Sequence, residues 1–492
     1  RLPVLADVHR QMNTITNKRE VMLVGKIAGN RAATHANIDT YFVQPELRQM
    51  SQNETLFIMV SDHGMPNMNA DGERDSTFTD NCIDLWSFFA DLKSEHISTL
   101  DWSARCLSKT ELRKHLVENV SAGRVVFAMS QCFSGGFHRM SVDDRKNYPT
   151  ADARICGFTA ATEDTTASGC TADVDGPGYQ GYERSFTEQL TGIDVVSGKR
   201  LRPGRASLAE AHRAATLEDL AKDIPLATSD FYLWKWALKI DAADFTPRSG
   251  TLPADVIRMT MLSTRIGDGA LVSENYAAKE AFFMKMKQRF ERMYPSIAYA
   301  FNGNIVNHRR LLTEMNAELA TFNEDVDRAY SDVQERLAAV LGEWNSFVRS
   351  NKSTLSSEER EYEFLIFGNA SLPSPNETAL HLMSIRTITN PESADILSQY
   401  KSMRTEYALN WAMGSANSEL SEFAQKLKRD MGELAKLDDK WNAMEKRIGH
   451  VRRLLIYREV LGAWNALAKM EDKVALKEVR DLVACESATL PR

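Results

Sequence analysis

Two short apolar runs constrain this chain more than any other feature: Leu56-Phe57-Ile58-Met59-Val60 and Val125-Val126-Phe127-Ala128-Met129. Neither alternates polar with apolar residues. A strand that is apolar on both sides has to be covered on both sides, which is the situation of a buried strand in an α/β sheet with helices on either face. Both runs are far too short to span a membrane. Val21-Met22-Leu23-Val24 and residues 155 to 161 add further strand candidates. Ser108-Lys109-Thr110-Glu111 starts a helix, with Ser followed by Glu in the spacing of a capping box, and residues 207 to 220 read as another helix. Residues 36 to 50 place Ile38, Phe42 and Val43 on one helical face, and Pro45 should end or kink that helix.

The second half has a different character. Thr246-Pro247-Arg248-Ser249-Gly250 and Leu252-Pro253 read as a linker. Beyond Ala277 the pattern is helical. Leu312, Met315, Leu319, Phe322, Val326, Ala329 and Val333 recur in steps of three and four. After one extra step of four, Leu337, Val340, Trp344 and Phe347 continue the seam, the signature of a heptad repeat with a stutter. A second seam runs through Trp441, Met444, Ile448, Val451 and Leu455. Leu372-Pro373-Ser374-Pro375-Asn376 interrupts the helices between them. An antiparallel hairpin or small bundle is expected. The 492 residues thus divide into an α/β domain over 1–245, a linker over 246–276 and an α-helical domain over 277–492.

Bulk composition excludes little. The chain is 43% hydrophobic and 26% charged, with a formal charge of −7, and no Lys/Arg block resembles a nucleic-acid arm. No nucleic-acid partner and no membrane span are expected. The chain opens on Arg1-Leu2-Pro3 without an initiator Met, so a processed or omitted N-terminus is expected. The compartment stays open, with a lean to secreted or periplasmic. The six cysteines, Cys82, Cys106, Cys132, Cys156, Cys170 and Cys485, contain no CxxC pair, which argues against a zinc ribbon or thioredoxin motif. Cys156 and Cys170 flank one loop and either bridge or stay reduced.

The chemistry lies where the two apolar runs end. The first continues Ser61-Asp62-His63-Gly64, the second Ser130-Gln131-Cys132-Phe133-Ser134-Gly135-Gly136. Ligands of open α/β sheets bind outside the carboxyl ends of the strands, so a His and a Cys there would face one crevice. A thiolate is the nucleophile and an imidazole moves its proton. Gly64 lets the backbone approach a substrate, and the N–H groups of Gly64 and Cys132 are the expected oxyanion donors. Ser134-Gly135-Gly136 should leave room for a peptide. Asp62 precedes His63 on the opposite face of an extended chain and is expected to be structural. His138 is expected at the surface, and His212 in a packing or capping role. The polar loop from Asn67 to Asp80, with Asp71, Gly72, Glu73 and Asp75, lacks EF-hand spacing and reads as a flap. Trp86, Trp234, Trp236 and Trp344 read as core or interface aromatics.

Strand-Ser61-Asp62-His63-Gly64 followed by strand-Gln131-Cys132-Phe133-Ser134-Gly135 resembles the legumain branch of the caspase-like cysteine peptidases. Asp62 before the His favours that branch over the metacaspases. The resemblance covers roughly residues 20 to 240. It implies an α/β caspase-like sheet sandwiched by helices, followed here by an all-α, partly coiled-coil domain. It implies a cysteine endopeptidase acting on polypeptides through a thioester, with His63 and Cys132 catalytic and no metal or organic cofactor. Thr159-Ala160-Ala161-Thr162 is similar to the segment that lines the family's specificity pocket. The family's opening unit carries a basic pocket residue and an Asn that steadies the His. Arg31 and Asn30 are the candidates here, although the chain before His63 is short for that unit. The family has an acid two positions before the Cys, where this chain has Ser130. Asp164, Ser168 and Glu183 are the remaining pocket candidates, chosen by position. A transpeptidase or ligase on the same site and a catalytically silent binding scaffold are the alternatives. The helical domain is expected to regulate, to bind a protein partner or to self-associate.

Overall fold

The structure, a computed structural model, describes residues 8–12, 19–23, 33–61, 63–68, 73–85, 106–168, 181–195, 197–263, 274–350 and 408–489. β1 (Val8–Met12) and β2 (Arg19–Leu23) form an antiparallel hairpin that includes three of the four residues 21–24. α1 (His35–Phe42) is separated from α2 (Pro45–Arg48) at Pro45, which occupies the first turn of the second helix, where its missing N–H has no partner to lose. β3 (Thr55–Val60), β4 (Gly64–Met65), β5 (Cys82–Asp84) and β6 (Cys106–Ser108) follow. α3 (Lys109–Asn119) starts on the expected capping box: the Ser108 hydroxyl accepts the Glu111 N–H and the Glu111 carboxylate accepts the Ser108 N–H. Then come β7 (Arg124–Met129), a 3-10 segment over Ser134–Met140, β8 (Val142–Asp143), β9 (Thr150–Ala151) and β10 (Ile155–Thr159).

The remaining elements are mostly helical: α4 (Tyr182–Thr191), α5 (Leu208–Glu218), the short strand β11 (Leu226–Ala227), α6 (Thr228–Asp241), α7 (Ala254–Ser263), α8 (Glu274–Met293), α9 (Ala298–Asn302), α10 (Ile305–Ser350), α11 (Ser418–Lys469) and α12 (Lys473–Glu486).

The central sheet has the order β3-β7-β10-β11. β3, β7 and β10 are parallel, with Val60 opposite Met129 and Met129 opposite Thr159, and β11 closes the far side antiparallel. β7 divides its side chains by the two-residue period of a strand. Val125, Phe127 and Met129 pack with Leu112 and Leu116 of α3, while Val126 and Ala128 pack with Phe158, Trp236 and the C-terminal helices. A continuous apolar run is therefore what this strand requires. β3 departs from the expectation of a buried strand. It ends the described sheet, its residues are only half-buried, and Met59 is 45% exposed.

The expected boundaries at 245 and 277 do not separate the compact parts. One unit joins Arg1–Met315 with Lys446–Arg492, and the other is Asn316–Glu445. In the first, Val451, Leu455, Leu461, Val479 and Leu482 share a core with Phe158, Phe231 and Trp236. The linker is part of this core region too: α7 lies within it, Arg248 is paired with Asp472 of the α11–α12 turn, and the Ser249 hydroxyl donates to the Met470 carbonyl. Cys156 of β10 is bonded to Cys485 of α12 and Cys82 to Cys106. The sequence had offered Cys170 as the partner of Cys156. A helix of the C-terminal segment packed on β10 brings Cys485 there instead, and Cys170 itself lies outside the described residues.

In the second unit the α10 and α11 residues run antiparallel. Asn323 accepts from Trp441, Tyr330 donates to Asp438 and Arg336 reaches Asp430, so numbers rise on one helix as they fall on the other. Val333, Val340, Leu427 and Leu434 are buried between them. The helical hairpin read from the seams is present, and the Leu372–Asn376 break falls outside the described residues. No described helix is long and apolar enough to cross a membrane.

Candidate active site

Parallel register brings the two reactive ends together. The pairing of β3 and β7 continues one residue past the strands, where the Ser130 N–H donates to the Val60 carbonyl at 3.0 Å. Three residues beyond Val60 is His63, and three beyond Met129 is Cys132. The His63 carbonyl accepts the Asp84 N–H at 3.0 Å, and Gly64 begins β4, which pairs with β5. The segment is thus pinned on one side by a second small sheet and pressed on the other against the Cys132 segment. A Cβ added at Gly64 would lie 2.1 Å from the Cys132 carbonyl oxygen and 2.6 Å from Gln131 Cγ. Only glycine allows this approach. His63 is exposed, and Cys132 is half-buried and outside both disulfides.

The sulfur has defined backbone neighbours. Cys132 Sγ accepts the Ala167 N–H at 3.3 Å and stands 3.7 Å from the Ala167 carbonyl oxygen. A neutral thiol can donate to that carbonyl, and a thiolate can accept from that N–H. Phe133, next in sequence, is in the left-handed region at φ 59°. Its N–H donates to Thr165 at 2.8 Å and its ring stacks on Phe78 with centroids 6.0 Å apart. Asn81, fully buried, donates from one amide nitrogen to the carbonyls of Phe133 (2.8 Å) and Glu163 (2.9 Å), which joins the loop after β7 to the loop after β10. The Asn67 to Asp80 segment, expected as a free flap, is tied down where it is described. The Asp75 N–H donates to Asn67 at 2.7 Å, and the Phe78 carbonyl accepts from Arg139. Asp71 and Gly72 lie outside the described residues.

Several expectations change here. Ser134, Gly135 and Gly136 are buried, and they do not leave room for a peptide. A Cβ on Gly135 would come within 2.5 Å of the backbone of Thr162 and Glu163, and one on Gly136 within 2.5 Å of Asn81 Nδ2. Thr159, Ala160, Ala161 and Thr162 are also buried rather than lining an open pocket, because β11 and the Cys132 loop cover them. His138 belongs to the core, not the surface: its ring nitrogens meet the hydroxyls of Thr228 (2.9 Å) and Thr159 (3.0 Å). Burial first, then the charges of Lys235 and Arg139, push its pKa down to about 3. His212 is buried against the Tyr182 hydroxyl, a packing role as expected.

Of the pocket candidates, Arg31 and Asn30, like Asp62, lie outside the described residues. Ser130 is buried and its hydroxyl donates to the Val60 carbonyl at 3.2 Å, so it is a backbone tie rather than a pocket group. Asp164 accepts from Arg452 and from the Thr162 hydroxyl. Burial alone would raise its carboxyl, and the Arg452 charge and hydrogen bonds overcome this and hold it below the usual range. Ser168 donates its N–H to Asp223 at 2.6 Å. Glu183, in the first turn of α4, accepts from the Ser61 hydroxyl and so reaches the His63 segment. Asp164 and Ser168 share with Ala167 the loop beside the sulfur.

Sequence reasoning missed Ala167, Asn81, and the half-buried ion-pair set of Arg139, Asp144 and Glu163 with buried Lys235, in which Glu163 bridges Arg139 and Lys235. Ala167 acts through its backbone and has no side-chain signal. Asn81 was readable only as a polar residue before a short apolar strand. Among the described residues no group of three or more His, Cys, Asp or Glu side chains is placed to hold a metal. Comparison of the chain with protein-family models, with curated proteins and with solved structures found no match.

Proposed function

We propose that the chain is a cysteine endopeptidase of the legumain type, with Cys132 as nucleophile and His63 as general base and acid. The observation that carries the reading is the contact of Gly64 with the Cys132 carbonyl at the carboxyl ends of two adjacent parallel strands. In the proposed reaction His63 takes the Cys132 proton and the thiolate attacks a peptide carbonyl. The N–H groups of Gly64 and Cys132 hold the oxyanion. Collapse breaks the C–N bond as His63 protonates the leaving amine, and water, activated by His63, then hydrolyses the thioester. Two disulfides that do not include Cys132 also support a compartment outside a reducing cytosol.

The test uses a panel of peptide probes that carry a thiol-reactive carbonyl group and differ in the residue preceding it. At least one probe is expected to label Cys132 stoichiometrically, with labelling lost in Cys132→Ala and slowed at least about 100-fold in His63→Ala. A panel that labels wild type and Cys132→Ala alike would end the peptidase reading.

A further inference from the structure

We infer that Arg452 of α11 is a positioning residue of the Cys132 site, setting through the 162–168 loop the Ala167 N–H that faces the sulfur. The helix holds this loop on both sides of Ala167. Three residues before it, Asp164 receives Arg452 Nη2 on both carboxylate oxygens, at 2.8 and 2.7 Å. One residue after it, the Ser168 N–H donates to the Asp223 carboxylate at 2.6 Å, which also accepts the Tyr182 N–H at 3.1 Å. The Asp223 carbonyl in turn accepts Arg453 Nε at 2.9 Å. Arg453 is fully buried, pairs with Asp219 at 2.9 Å and donates to the Thr216 carbonyl at 3.1 Å. Adjacent residues of one helix therefore act on the loop by two routes, Arg452 directly and Arg453 through the turn at Asp219 and Asp223.

The consequence is chemical. An N–H aimed at sulfur favours the thiolate over the thiol, and its value depends on holding the distance. Ala167 itself offers only backbone. The Glu163 carbonyl is fixed by Asn81, the Thr165 carbonyl by the Phe133 N–H and the Ser168 N–H by Asp223, so losing Arg452 removes the loop's direct tie to α11 at Asp164. The charged and titratable groups on the elements that hold the sulfur and this loop are His63 and, through Ser61, Glu183 on the β3 side, Glu163 with its partners Arg139 and Lys235, Asp164, Asp223 at Ser168, and Arg452 and Arg453 on α11.

This inference uses the peptidase reading only for its bearing on catalysis, and its test is independent of turnover. The pH dependence of iodoacetamide alkylation is followed at the Cys132-containing peptide in the full chain, with thermal unfolding as the check on folding. Arg452→Ala is expected to raise the alkylation midpoint by about one pH unit, a part of what a hydrogen bond to a charged group supplies. The double variant Asp164→Asn/Arg452→Ala removes both charges and should show the same rise. Arg452→Lys should restore part of it. An unmoved midpoint in a folded Arg452→Ala protein would overturn the inference. So would a shift that vanishes in the double variant, which would assign the effect to charge rather than position. If Arg452→Ala fails to fold, Asp164→Ala breaks the same tie from the loop side and should raise the midpoint likewise, an unmoved or lowered midpoint overturning the inference. A midpoint that moves while no peptide probe labels Cys132 would leave the positioning intact and remove the peptidase reading.

Discussion

Gly64 has no side chain because the Cys132 carbonyl oxygen occupies the place where one would begin. That single contact turns two separate sequence signals into one site. It also makes the position intolerant: Gly64→Ala must push the β3 end away from the β7 end. The overpacking should cost about 1–3 kcal/mol. Under the proposed peptidase reading, displacing His63 from Cys132 should slow Cys132 labelling on the order of 100-fold. Labelling kinetics and thermal unfolding of the variant read both, and a Gly64→Ala protein that labels at the wild-type rate would show that this contact does not position the pair. His63 and Cys132 were legible because the residue types and the small residues after them are visible along the chain. Ala167 was not, since any residue but proline offers the same N–H.

The C-terminal element α12 illustrates how far the packing departs from chain order. Its last residue, Glu486, is buried and accepts the Ser229 N–H at 2.6 Å and the Ser229 hydroxyl at 2.8 Å. Burial, opposed by the Lys279 charge, pushes its pKa up to about 7 from 4.5. The folded state therefore binds this proton more tightly than the unfolded state. Its contribution to stability is fully present below pH 4.5 and is lost as pH rises towards 7. Glu486→Gln cannot ionise, so the variant should gain stability relative to wild type across that window, by up to roughly 3 kcal/mol. Denaturant unfolding of the two proteins at pH 5 and pH 7.5 measures the difference, and an equal gap at both pH values would contradict the buried-carboxylate account. The helix and its cap at Asp472 follow local rules. Its docking on β10, sealed by Cys156–Cys485, depends on residues hundreds of positions away.

At the scale of the whole molecule, the unit made of residues 1–315 and 446–492 holds, among the described residues, four buried histidines, His138, His212, His308 and His450. Burial lowers all four, His138 to about 3 and His308 to about 4, with His212 and His450 also well below 6.5. Here the sign is opposite to that of Glu486. The unfolded chain takes up protons near pH 6.5 that the folded unit does not, so stability present above pH 6.5 is lost as pH falls. Each histidine contributes up to about 1.4 kcal/mol per pH unit, opposed in sign by the raised carboxyls of Asp219, Asp223, Glu459 and Glu486. The contribution of one ring is therefore read by difference: His138→Asn, which cannot ionise, should lose less of its thermal midpoint than wild type between about pH 6.5 and 4.5. An equal loss in the two proteins would mean that the His138 ring is protonated in the folded unit.

What the chain determined by itself was local: the apolar runs that become β3, β7 and β10, the Ser108 capping box, the heptad seams of α10 and α11, and the His-Gly and Cys-x-Ser-Gly segments at the strand ends. Each of these depends on neighbours within a few residues, so its pattern is written in order along the chain. Tertiary structure alone decided the rest. It gave Cys156 its partner in Cys485, put β3 at the edge of the described sheet, and made residues 246–263 and 446–492 part of the α/β unit. It also made a core residue of His138 and brought Asn81, Ala167 and Arg452 to the cysteine. These outcomes follow from which surfaces pack against each other, and burial, hydrogen bonding and ion pairing between distant residues leave no periodic or compositional trace at either partner.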